Sequence, residues 1–237
     1  MREAGGAIIE NVIRALVFDF DGLILDSEGP VFEAWSEVYR RHGQELSQSF
    51  WVTIIGRSPA FFDPFAELEK LVGRSLDRDA LQDERRLRER EMVEAQPVLP
   101  GVREWHSEAR RMGLKLGVAS SSSASWVTGH LERLGLAGWD CIRCREHVRE
   151  AKPAPDLYRA ALACLGVTAG EALAIEDSEH GVAAAKAAGL FALAVPCPLT
   201  RSHDLSSADL VLDSLKERSL AQVMVDLRSA STVSRVR

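Results

Sequence analysis

"LVFDFDGLILDSE" (residues 16–28) sets an apolar run directly against two aspartates one residue apart, Asp19 and Asp21, followed by Gly22. The run is too short for a helix and has no helical period, so it reads as a buried strand that ends in acids. Similar short runs follow at "LKLGVA" (114–119), "DCIRC" (140–144), "ALAI" (172–175), "LFALAV" (190–195) and "DLVL" (209–212). Helical stretches separate them. Trp105, Ala109 and Met112 recur at helical spacing before Gly113. Trp126, Val127, His130, Leu131 and Leu134 do so before Gly135, and Leu157, Tyr158, Ala161, Leu162 and Leu165 before Gly166. Near-continuous apolar strands alternating with amphipathic helices predict an α/β fold with a doubly wound parallel sheet covered on both faces.

One interval breaks this rhythm. Between about 30 and 96 no strand core is legible, and helical stripes appear instead. Phe32, Trp35, Val38 and Tyr39 end at Gly43, and Phe61, Phe62, Phe65, Leu68 and Val72 end at Gly73. A third segment, "LDRDALQDERRLREREMVEAQ" (76–96), alternates acids and bases so closely that it reads as a solvated helix face with local ion pairs. Pro97 and Pro100 disfavour helix and stiffen a two-stranded connection at its exit. The expected organisation is an α/β core of residues 1–28 and 98–237 carrying an inserted all-helical cap of residues 29–97.

Composition narrows the function. With 237 residues and 46% hydrophobic content the chain can bury a sizeable core. Its net charge of -6 and dispersed Lys and Arg would repel a phosphate backbone, so no nucleic-acid partner is expected. No uncharged apolar run could span a bilayer, and "MREAGGAIIENVIR" carries Glu3 and Glu10 where a signal peptide needs an unbroken apolar centre. The expectation is a cytoplasmic monomer with no membrane partner. Cys141, Cys144, Cys164 and Cys197 are too scattered for a disulfide framework and are expected to be reduced. Cys141, Cys144 and His147 could be half of a zinc site, but residues three apart on a strand point to opposite faces, which favours buried apolar thiols.

An Asp-x-Asp pair after a strand is weak evidence alone, because acids often close loops. In parallel α/β sheets, however, ligands collect at the carboxyl ends of the strands, and chemistry-bearing residues recur there. After "LGVA" come four serines, Ser120 to Ser123, whose hydroxyls and N–H groups at a helix start suit an anion. Lys152 stands in "AKPAP" between a strand end and the next helix. After "ALAI" come Glu176 and Asp177, and two adjacent acids at a strand end are costly unless a cation binds them. Metal binding explains them economically.

Together these four clusters resemble the haloacid dehalogenase-like hydrolases, and the helical insertion after the first strand resembles the subgroup that includes β-phosphoglucomutase and many small-molecule phosphatases. "DFDG", the Ser120 turn, Lys152 and "EDSEHGVAAAKAAG" follow the family's motif order from about Arg14 to Leu212. The resemblance implies a Mg2+-dependent hydrolase of a small phosphorylated metabolite such as a sugar phosphate. Asp19 would be the nucleophile that becomes an aspartyl phosphate, and Asp21 the acid and base that serves the leaving oxygen and then water. Asp19, the Asp21 carbonyl, Asp177 and Glu176 would hold Mg2+. Ser120, Ser121 and Lys152 would hold the phosphoryl group, with Arg57 in "IIGRSP" reaching the substrate from the cap and His180 bordering the site.

Mutase-type members carry a histidine where this chain has Val31, which favours hydrolysis over a β-phosphoglucomutase-like reaction. A receiver-like signalling module also pairs a strand-end Asp with acids and a Lys. It would not need the cap or a second aspartate for a leaving group. A dehalogenase of the same fold would need no metal.

Overall fold

The computed structural model describes residues 13–55 and 62–233. Six strands form one parallel sheet: β1 (Ala15–Phe18), β2 (Lys115–Ala119), β3 (Cys141–Arg143), β4 (Ala172–Glu176), β5 (Phe191–Ala194) and β6 (Leu210–Val211), in the order β3-β2-β1-β4-β5-β6. Each arises from one of the apolar runs. The chain leaves β1 and returns to build outward on both sides of it, so β1 and β4 flank the point where the strand order reverses, the crevice where such sheets bind ligands.

Strand alternation divides the core into two layers. Leu16, Phe18, Leu116, Val118, Leu173, Ile175 and Leu193 face one side and pack on α5 (Val102–Arg111), α6 (Ala124–Arg133) and α9 (Leu220–Val233) through Trp105, Val127, Leu131, Leu220 and Val223. The other side carries small residues, Ala15, Ala119, Ala172, Ala174, Ala192 and Ala194. They let α7 (Asp156–Leu165) and α8 (Glu179–Ala187) settle close to the sheet through Leu157, Tyr158, Val182 and Ala185.

The cap helices are α1 (Glu28–Arg41), α2 (Gln48–Val52), α3 (Pro64–Val72) and α4 (Arg78–Glu94). Trp35, Val38, Tyr39, Trp51, Phe65 and Leu68 form their common core, joined by Cys197 and Leu199 from the loop after β5. Residues 56–61 between α2 and α3, with Arg57 and Phe61, lie outside the described residues. The two-stranded connection at the cap's base is a bridge between Leu25 and Val98. As its alternating charges suggest, α4 is laced by ion pairs, Arg88 with Glu91 on the helix and with Glu37 on α1, and Arg41 of α1 with Glu84. Arg85 departs from the solvated pattern: it is buried, pairs with Glu89, and lies 4.9 Å from the Trp35 ring.

The cysteines need one correction. Cys141 and Cys164 are joined in a disulfide, with Cα atoms 6.1 Å apart. Their separation of 23 residues hides the fact that β3 and α7 pack directly against each other. Cys144 and Cys197 are free and buried. Cys141 and Cys144 belong to the layers on opposite sides of the sheet, as strand geometry requires, so they do not share a metal.

Candidate active site

At the carboxyl ends of β1, β2 and β4, beneath the cap, lies a cavity of about 660 Å³. Its lining brings together Asp19, Asp21, Ser121, Ser122, Lys152 and Asp177 from the core with Val31 and Arg86 from the cap, and His180 borders it. Thus residues spread over more than 150 positions of sequence meet in one volume.

Asp19 follows β1, and its backbone N–H donates to the Ile175 carbonyl at 2.9 Å, which carries the strand pairing one residue past β1. Lys152 Nζ sits 2.6 Å from Asp19 Oδ1 and 2.7 Å from Glu176 Oε1. Glu176 also accepts from the Tyr158 hydroxyl, a residue whose helical stripe had marked it only as core. Thr200, from the loop after β5, donates to Asp177 Oδ2 at 3.3 Å.

Two glycines make room for these acids. A Cβ on Gly22, whose φ is +76°, would stand 2.2 Å from Asp177 Oδ2. One on Gly181 would stand 1.8 Å from Glu176 Oε2. Neither position tolerates a side chain while the carboxylates keep their places.

The electrostatics are those of too few cations. Burial pushes the Asp19 carboxyl up to about 7; Lys152 opposes the rise, while Glu176 and Asp21 add to it. Burial and the charges of Asp19, Glu176 and Glu28 hold Asp177 well above the usual carboxylate range. For Lys152, burial favours loss of the proton, but Asp19 and Glu176 outweigh it and raise its pKa above the ordinary value. Glu28, at the start of α1, is lifted to about 8 by burial and by Asp21, Asp19 and Asp26.

This arrangement fits a hard divalent cation. Asp19, Glu176 and Asp177 each offer an oxygen within 4.8 Å of the others, and all are buried. Glu176 Oε2 finds no hydrogen-bond partner among the described residues. One ammonium cannot neutralise three buried carboxylates, and an all-oxygen donor set is what Mg2+ prefers.

Asp21 is held differently. Its Oδ1 accepts from Ser27 Oγ at 2.7 Å and from Trp126 Nε1 at 3.0 Å. Its Oδ2 accepts from Ser122 Oγ at 2.6 Å and Ser120 Oγ at 3.3 Å. The expected serine turn therefore divides its work: Ser123 caps α6, Ser120 is fully buried and bonded to Asp21, and Ser121 and Ser122 face the cavity. The Asp21 side chain lies outside the acidic trio, so only its carbonyl remains as the expected fourth ligand. Sequence patterns missed Ser27, Trp126, Tyr158 and Thr200; Trp126 and Tyr158 are legible only as members of apolar stripes.

Comparison with known proteins agrees with this geometry. The chain is 41% identical over 219 residues to the Bacillus subtilis protein named "Putative phosphatase YhcW", covering 92% of this chain and 99% of that one. It is 33% identical to the fructose-1-phosphate phosphatase YqaB of Escherichia coli, over 76% of this chain and 95% of that one. The crystal structure of CbbY from Rhodobacter sphaeroides in complex with phosphate superposes with a TM-score of 0.68 at 28% identity, covering 89% and 98% of the two chains. The haloacid dehalogenase-like hydrolase family matches residues 13–189, and with a strand-end aspartate pair, a buried lysine and an acidic trio at the sheet's switch point, this chain belongs to that family.

Proposed function

We propose that this phosphatase is Mg2+-dependent, hydrolyses a small phosphorylated metabolite of the sugar-phosphate class, and works through an aspartyl phosphate on Asp19. The single observation that carries the reading is the contact of Lys152 with Asp19 and Glu176, two members of a buried carboxylate trio. Fructose 1-phosphate hydrolysis by a relative of 33% identity supports the substrate class.

An anionic nucleophile approaching an anionic phosphate is opposed by roughly 4 kcal/mol per unit-charge pair at ~4 Å and an effective dielectric of ~20. Lys152 offsets part of this from beside Asp19 Oδ1. Asp19, Asp177, Glu176 and the Asp21 carbonyl would hold Mg2+, which when bound supplies charge neutralisation at the phosphoryl oxygens. Asp19 then forms a bond to phosphorus as the bond to the leaving oxygen breaks, with the electron pair staying on that oxygen. Asp21 delivers the proton to it, and afterwards takes one from the water that cleaves the aspartyl phosphate. Ser121 and the turn after Ser120 would steady the phosphoryl group, and Arg57 remains the candidate cap contact. The cap, assigned to residues 29–97, would exclude water from the first step. Its cytoplasmic setting and monomeric state belong to the same proposal.

Val31 favours hydrolysis over mutase action. It lines the cavity and packs on the cap's apolar core, where it can neither donate nor accept a proton. The deciding experiment is incubation of the Mg2+-loaded protein with fructose 1-phosphate and β-glucose 1-phosphate. Release of inorganic phosphate is expected. Formation of glucose 6-phosphate would make it a mutase, and a stable phosphoprotein without turnover would make it a signalling module.

A further inference from the structure

Asp19 and Asp21 sit two residues apart and are supported in opposite ways. Among the described residues, Asp19 has one side-chain hydrogen-bond donor, Lys152. Asp21 has two donors on each oxygen. Three of those four are serine hydroxyls, which can rotate and reverse from donor to acceptor. The fourth is the Trp126 indole, which can only donate. It is the one contact that keeps its direction whichever way the hydroxyls turn.

The chain gives up local stability to build this cradle. Ser27 occupies the N-cap position of α1, where a serine ordinarily accepts from the first helical N–H groups, yet it makes no side-chain cap bond. Its hydroxyl goes to Asp21 instead. Trp126 is itself buttressed: its ring meets His130 edge-on at 4.3 Å, and His130 stacks at 6.4 Å on Phe20, the residue between the two aspartates. The support for Asp21 therefore runs from α6 back to the end of β1 and closes on itself.

We infer that Trp126 is a positioning residue for general-acid catalysis: its N–H fixes the Asp21 carboxyl so that the proton reaches the leaving oxygen as phosphorus transfers to Asp19. The inference rests on the acid role proposed above for Asp21. It makes a specific demand, because a positioning defect matters only when the leaving oxygen needs a proton. An alkoxide does, whereas p-nitrophenolate departs without one.

The test compares kcat/KM for fructose 1-phosphate and p-nitrophenyl phosphate in the Mg2+-loaded wild type, Trp126→Phe and Asp21→Asn. This ratio reports only steps through departure of the leaving group, so later hydrolysis of the aspartyl phosphate does not enter. For Trp126→Phe we expect a loss of about tenfold or more on the sugar phosphate and less than about threefold on the aryl ester, a fraction of the full general-acid effect of roughly 10²–10⁴. Asp21→Asn should show the same split more strongly. Site-specific replacement of Trp126 by 3-benzothienylalanine keeps the ring and removes the N–H, so the split must appear there too if Trp126→Phe folds poorly. Equal losses on both substrates, or none, while Asp21→Asn shows the split, would overturn the role of Trp126. Absence of the split in Asp21→Asn would overturn the acid role and this inference with it, and no hydrolysis of either ester would overturn the phosphatase reading on which both stand.

Discussion

Lys152 Nζ lies 2.6 Å from Asp19 and 2.7 Å from Glu176, so one ammonium bridges the end of β1 and the end of β4 at the point where the strand order reverses. Both carboxylates and the lysine side chain are buried, and among the described residues no second Lys or Arg forms an ion pair with either acid. Removing the lysine leaves two acids facing each other without compensation. Lys152→Met is expected to lower the stability of the metal-free protein by about 3 kcal/mol, on the order of 10 °C in Tm, with part of the loss restored by Mg2+. Thermal unfolding with and without the metal measures both.

Asp19→Asn acts in the opposite direction on stability. It removes a buried carboxylate whose pKa is pushed up to about 7, while Lys152 keeps Glu176 as a partner. Phosphate release should fall by roughly 10³-fold or more, as expected when a nucleophile is lost, while Tm at pH 8 stays level or rises. A variant with normal turnover would end the aspartyl-phosphate mechanism.

Metal occupancy should be visible without any substrate. At a hundred times its dissociation constant a ligand of the native state adds about 2.7 kcal/mol, and Mg2+ is expected to raise Tm of the EDTA-treated protein by roughly 5–10 °C. Asp177→Asn, which removes one of the trio, should abolish that shift. Equal melting curves for wild type with Mg2+ and with EDTA would contradict the metal site.

Glu28 gives the pH dependence. Its folded pKa is raised from 4.5 to about 8, first by burial and then by Asp21, Asp19 and Asp26. A raised carboxyl favours folding while protonated, so its contribution is whole below about 4.5 and is lost as pH climbs to about 8. Glu28→Gln should therefore leave Tm unchanged at pH 4 and raise it by a few degrees at pH 8.5, on the order of 1–2 kcal/mol after allowance for its partial exposure. Melting curves across this range decide it, and a variant less stable than wild type at pH 8.5 would show that Glu28 has a partner that outweighs its neighbours' repulsion.

Much of this protein is legible in its sequence. The apolar runs mark all six sheet strands, most plainly β1, β2, β4 and β5, which are buried on both faces, and the helical stripes with their closing glycines mark α5, α6 and α7, whereas α8 and α9 carry no such stripe. Asp19, Glu176 and Asp177 are candidates because acids at the ends of such strands are costly unless a cation binds them, and Lys152 joins them through the motif order that resembles the family's. What the one-dimensional pattern could not hold was distance. Cys141 and Cys164 met because α7 packs on β3, Thr200 reached Asp177 from a loop with no pattern, and Tyr158 faced Glu176 from what read as a plain apolar stripe. Trp126 shows the reason most clearly: its ring obeys the helical period of a core residue, and only the packing of α6 against the end of β1 brings its N–H onto Asp21. Periodicity records which face a side chain turns inward; where its polar atom arrives depends on the relative placement of whole elements, which the tertiary fold alone decides.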